Sequence, residues 1–154
     1  MKLTGIAATT NEMLGDSRHM RFTLEDLELM AAQAVGVPVY VDFDKTVPPV
    51  GRIIRAEIEG KVDKHKVTGC LRIVVELMTA QPRGEAPVWP AGEKGLYCVP
   101  GVTGTGEPPA FKVSELTEFG ITHKPADTST DLEPLTTLLE GRWQGYLPAE
   151  SFLR

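Results

Sequence analysis

Two runs of alternating apolar and polar residues, set either side of a short polar turn, constrain this chain more than any other feature. Arg52 to Glu59 carries Ile54, Ala56 and Ile58 at every second position, and Val67 to Leu77 carries Val67, Leu71, Ile73, Val75 and Leu77 on a common phase. Residues two apart share a face of a strand, so each run has one face to bury. The intervening Gly60 to Lys66 is polar and begins with glycine, which makes the pair a β-hairpin. A lone hairpin is marginal in water, so the remaining chain must supply more strands or a covering helix. His65 sits in that turn between Lys64 and Lys66 and reads as solvated.

The partners are legible on both sides. Leu3 to Ala8 is apolar enough for a strand, and Gly15 to His19 reads as loop. Thr23 followed three residues later by Asp26 is a helix start, the hydroxyl accepting a first-turn N–H. Leu27, Met30, Ala31 and Ala34 continue at helical spacing until Gly36 stops the helix. Val37, Val39, Val41 and Phe43 alternate with Pro38, Tyr40, Asp42 and Asp44, a half-buried strand that Val47 to Gly51 breaks. Between Met78 and Ala110, prolines forbid long elements, and only Leu96 to Val99 looks like a strand. Phe111 to His123 resumes the strand pattern with a slip near Glu115. Asp131 to Glu140, with Leu132, Leu135, Leu138 and Leu139 as its stripe and Pro134 in its first turn, is expected to be a second helix.

At 154 residues the chain is expected to form a single β-rich α+β domain over residues 1–142, followed by an aromatic tail over 143–154. The expected architecture is a partly or fully closed, mainly antiparallel β-barrel flanked by two helices. A net charge of −5 disfavours nucleic acid, which needs a basic surface. No apolar run reaches the length of a membrane span, and the N-terminus lacks the apolar core of a signal peptide, so the chain is expected to stay in the cytoplasm where it is made or in an assembly built there. Cys70 and Cys98 lie in strand-like segments and are expected to be buried thiols. No Cys/His cluster with metal spacing occurs, and no metal or cofactor is expected.

Catalytic signals are thin. Asp42 and Asp44 share a strand face and could pair, but an ordinary solvated face with Tyr40 explains them as well. His19 stands in a loop near Arg18 and Arg21, and His123 ends a strand beside Lys124, with no serine or cysteine fixed next to either. Motifs of phosphate-binding loops, nucleophile elbows and zinc proteases are absent. Aromatic residues in irregular surroundings offer contacts to other proteins: Trp89 in the proline-rich stretch, which could equally fold back to cap the core, and Trp143, Tyr146, Phe152 and Leu153 in the tail, whose alternative is to seal the open end of the barrel.

Two segments resemble those of a known family. Val37-Pro-Val-Tyr-Val-Asp-Phe-Asp44, followed by Pro49-Val-Gly-Arg-Ile53, looks like the strand–loop–strand of tailed-bacteriophage prohead (capsid maturation) proteases. Glu118-Phe-Gly-Ile-Thr-His-Lys-Pro-Ala-Asp127 is similar to the segment that carries that family's nucleophilic serine. The resemblance runs over roughly residues 3 to 128. It implies a β-barrel like that of the herpesvirus assembly proteases. The departures fall at the reacting positions: Gly120 stands where the family has serine, and Phe43 where it has histidine, unless a shift by one puts Asp42 there.

Loss of a nucleophile alone removes about a million-fold of turnover in serine hydrolysis. The expectation is therefore an inactive relative, reused as a structural component of a phage particle: a capsid decoration or minor head protein, or a connector or tail component. Capsid or other virion proteins, or further copies of the chain, would be its partners. Two alternatives remain open from the residues. One is an active protease with Ser114 as a displaced nucleophile and His123 as its base. The other is a cytoplasmic regulatory binding domain unrelated to capsids.

Overall fold

The computed structural model describes residues 2–10, 12–13, 20–63, 66–78, 95–107, 111–123 and 132–138. In chain order these form β1 (Lys2–Thr9), β2 (Glu12–Met13), β3 (Met20–Arg21), α1 (Leu24–Ala34), β4 (Pro38–Val41), β5 (Gly51–Asp63), β6 (Lys66–Leu77), β7 (Tyr97–Thr105), β8 (Lys112–Thr122) and β9 (Thr136–Thr137). Seven strands make one sheet in the order β7-β8-β4-β5-β6-β1-β9, and β2 pairs with β3 as a separate ribbon. Every ladder in the large sheet is antiparallel except β4 against β8.

The hairpin that opens the argument is its longest ladder. β5 and β6 pair from Gly51–Leu77 out to Asp63–Lys66, so the turn is tighter than the expected Gly60 to Lys66 and the strands run further. A bulge between Ile53 and Arg55 changes the phase of β5. Ile53 is thereby fully buried, Ile54 is only half-buried, and Ala56 and Ile58 pack on the core beyond the bulge.

Helix α1 begins as read. Thr23 Oγ1 accepts from Asp26 N at 3.1 Å, and Asp26 Oδ2 accepts from Thr23 N at 2.9 Å, a complete capping box. Leu27, Met30 and Ala34 are wholly buried, packing with Val39, Ile53, Leu71, Ile73, Val75, Phe119 and Ile121 from one face of the sheet. At the other end Gly36 takes φ +89°, a left-handed conformation that favours glycine, and its N–H donates to Ile53 O at 2.8 Å.

The sheet curls into a half-barrel whose two ends approach each other. Leu135 N donates to Leu96 O just before β7, while Thr136 and Thr137 pair with Thr4 and Leu3 of β1. Tyr97 and Val99 of β7 pack against a second cluster of Ile6, Cys70 and Leu132. The buried Arg72 ties this seam: its guanidinium reaches Glu59 Oε1 at 2.6 Å and Glu133 Oε2 at 3.0 Å.

Several expectations are corrected here. Residues 132–138 contain no helix and include the short strand β9, so the expected helix over Asp131 to Glu140 does not form across them. β-branched Thr136 and Thr137 favour a strand, and the open edge of β1 supplies the backbone partners that a short isolated helix lacks. The strand expected over Val37 to Asp44 stops at Val41. The stretch after Val99 is not loop: β7 runs on through Pro100 and Gly101 to Thr105, with Pro100 tolerated because β7 lies at an edge of the sheet. The slip near Glu115 is real. The β7–β8 register skips Thr117 and Ser114 on either side of it.

Candidate functional site

The parallel pairing of β4 with β8 brings together the two segments that carry the resemblance. Val39, Tyr40 and Val41 lie opposite Phe119, Gly120 and Ile121. Val39, Phe119 and Ile121 point into the core, so Tyr40, Gly120 and Glu118 belong to the opposite face by alternation.

Past β4 the chain turns sharply. Asp42 N still donates to Ile121 O at 2.9 Å, but Asp42 and Phe43 take φ of +49° and +59°. Two consecutive non-glycine residues in the left-handed region cost on the order of 1–2 kcal/mol each. The turn is closed by Asp44 N donating to Val41 O at 2.9 Å. Asp44 then accepts from the N and Oγ1 of Thr46 at 3.0 and 2.5 Å, and these hydrogen bonds hold its carboxyl below the usual carboxylate value. Asp42 and Asp44 therefore do not share a strand face as expected; both are exposed on this turn.

The turn lays the Phe43 ring on Gly120. A Cβ at residue 120 would lie 2.5–2.6 Å from three ring carbons. Glycine is thus the residue that permits the contact, and a serine there would have no room beside the ring. Phe43 and Gly120, 77 positions apart, are in direct contact, with neither a nucleophile nor a base between them.

Glu118, two residues back along β8 on the same face, is only 8% exposed. Its carboxylate lies across Gly101 of β7, where a Cβ would come within 2.8 Å of the Glu118 Cδ. Lys45 Nζ, from the same turn as Phe43, meets Oε1 at 2.8 Å, and this partnership holds the lysine above its ordinary value. Oε2 is buried with no hydrogen-bond partner among the described residues. A buried polar atom left so costs about 1–3 kcal/mol.

Ser114 and His123 are not brought together. They stand at opposite ends of β8, nine residues or roughly 25–30 Å apart along an extended strand. Ser114 Oγ donates to Thr103 O at 3.2 Å, and Thr117 Oγ1 does the same to Gly101 O at 3.1 Å. Both hydroxyls thus serve the backbone at the two skipped positions. Cys98 is buried and its thiol is pushed far up by desolvation; Cys70 is buried as well, and no disulfide joins them. Among the described residues no group of three or more His, Cys, Asp or Glu is placed to hold a metal, and no helix is long and apolar enough to cross a membrane.

Trp89, Trp143, Tyr146, Phe152 and Leu153, with His19, His65 and the boundary at 142/143, lie outside the described residues. Sequence reasoning missed Lys45, Glu118 and Arg72. A signal for Glu118 existed: Gly101 inside a strand marks close approach by a neighbour. No family model, curated protein or solved structure matches the chain.

Proposed function

We propose that this chain is a non-enzymatic structural component of a bacteriophage particle, built on a degenerate prohead-protease scaffold with a barrel like that of the herpesvirus assembly proteases. A capsid decoration or minor head protein is the preferred role, and a connector or tail component is a variant of it. The observation that carries the reading is the contact of Phe43 with Gly120. In the family the resembling segments must bring a histidine and a serine into reach of each other. Here the two resembling segments are neighbours through β4 and β8, and the ring of Phe43 lies on Gly120, the two positions that the resemblance assigns to the reacting groups. A fold that retains the juxtaposition without the reacting groups suits binding. The test is purification of particles from infected cells through two density steps. The chain should remain with them in a constant ratio to the major capsid protein. Complete loss of the chain to the soluble fraction contradicts the particle role.

A further inference from the structure

The face that Phe43 and Glu118 share is built in a way that packing alone does not require. Glu118 is nine-tenths buried, yet only one of its oxygens is satisfied, and its sole partner among the described residues is a lysine whose side chain is 58% exposed. Glycines stand on two sides of it: Gly101 directly opposite, against which the carboxylate packs, and Gly120 two positions along β8, which lies under the Phe43 ring. Phe43, half-buried over Gly120, stands about 6–7 Å along the strand from Glu118. Tyr40 lies opposite Gly120 on the same face.

We propose that Glu118 is the floor of a receptor for one arginine side chain presented by a partner protein. Lys45 binds one oxygen as a point charge and leaves the other without a donor. A guanidinium offers two parallel N–H groups that match both oxygens of a carboxylate, and its plane stacks on an aromatic face such as Phe43. Lys45, long and mostly solvated, can swing away as the arginine enters, so the site exchanges a monodentate internal cation for a bidentate external one. The chain's net charge of −5 favours a basic partner segment. This inference stands without the virion assignment, since it needs only the face itself.

The probe is a blocked Gly-Arg-Gly peptide, with Gly-Lys-Gly and Gly-citrulline-Gly as controls, titrated into the full-length ¹⁵N-labelled protein. Saturable shifts are expected at the amides of Gly101, Phe43 and Gly120, weaker with lysine and absent with citrulline. Glu118→Gln should weaken binding roughly tenfold or more. Lys45→Ala should tighten it severalfold by removing the competing cation, in protein whose amide spectrum shows it to be folded before the peptide is added. No saturable shift at these amides, equal binding of the lysine and arginine peptides, or weaker binding by Lys45→Ala each overturns the proposal.

Discussion

At the scale of single residues, the contact between Phe43 and Gly120 sets what this face can be. The ring occupies the space of any side chain at 120, and the left-handed turn at Asp42 and Phe43 holds it there. Gly120→Ser is therefore expected to lower stability by about 1–3 kcal/mol, the usual range for forcing atoms into a packed site. Adding Phe43→Ala should restore part of that loss, with a coupling above about 0.5 kcal/mol in a double-mutant cycle of denaturant unfolding. Additive effects would show that the ring is not on the glycine. A second residue-level expectation concerns Glu59. Burial raises its carboxyl above 4.5, and Arg72 opposes that. A raised folded-state value means the folded protein holds more protons than the unfolded one across that window. The contribution is fully present below 4.5 and is lost as pH rises through the folded value. The melting temperature of the protein minus that of Glu59→Gln should fall as pH is raised from 4 towards neutrality. A difference that rises over that range contradicts the assignment. Phe43 and Gly120 were both legible as motif positions, but their contact depended on a parallel pairing that no local pattern encodes.

At the scale of elements, α1 does more than cover the sheet. β4 pairs with β8 only at Phe119, Gly120 and Ile121, and helix side chains take up two backbone donors earlier on β8. Asp26 Oδ1 accepts from Val113 N at 3.1 Å, and Gln33 Oε1 accepts from Leu116 N at 2.9 Å. Asp26 is thus both the third helical residue of a capping box and a buried acceptor for a strand far along the chain. Asp26→Ala should cost about 2–4 kcal/mol, and Thr23→Ala only about 1 kcal/mol, because the second change removes one cap bond and the first removes both a cap bond and the buried acceptor of Val113 N. Equal costs in urea unfolding would mean that the bond to Val113 contributes nothing. The capping box was plain from Thr23 and Asp26, whereas the second role joins residues 87 apart and leaves no local trace. The segment 132–138 teaches the opposite lesson. Its leucines fit a helix, yet the free edge of β1 and the buried Arg72 with its bond to Glu133 decide for a strap that includes β9. Arg72 itself stood one position from a clean apolar phase, so alternation placed it on a solvated face that the strap in fact covers.

At the scale of the whole molecule, the β-rich class, the β5–β6 hairpin, the first helix and most of the core were readable from alternation and caps. The expected barrel is seen as a curled half-barrel, and the contacts that bring its ends near each other, Leu135 to Leu96 and β9 to β1, join distant parts of the chain and leave no local pattern. The same architecture bears on catalysis. The curled sheet keeps Ser114 and His123 at opposite ends of β8 and commits the Ser114 hydroxyl to Thr103 O. It sets the Phe43 ring on Gly120, the two positions that the proposed relation to the prohead proteases would assign to a base and a nucleophile. The central claim is binding without hydrolysis, and the most direct measurement is the intact mass of the native protein after prolonged exposure to an excess of a fluorophosphonate. The mass is expected to remain that of the unmodified chain. Addition of one phosphonyl group that requires the native fold and disappears in Ser114→Ala would contradict the account.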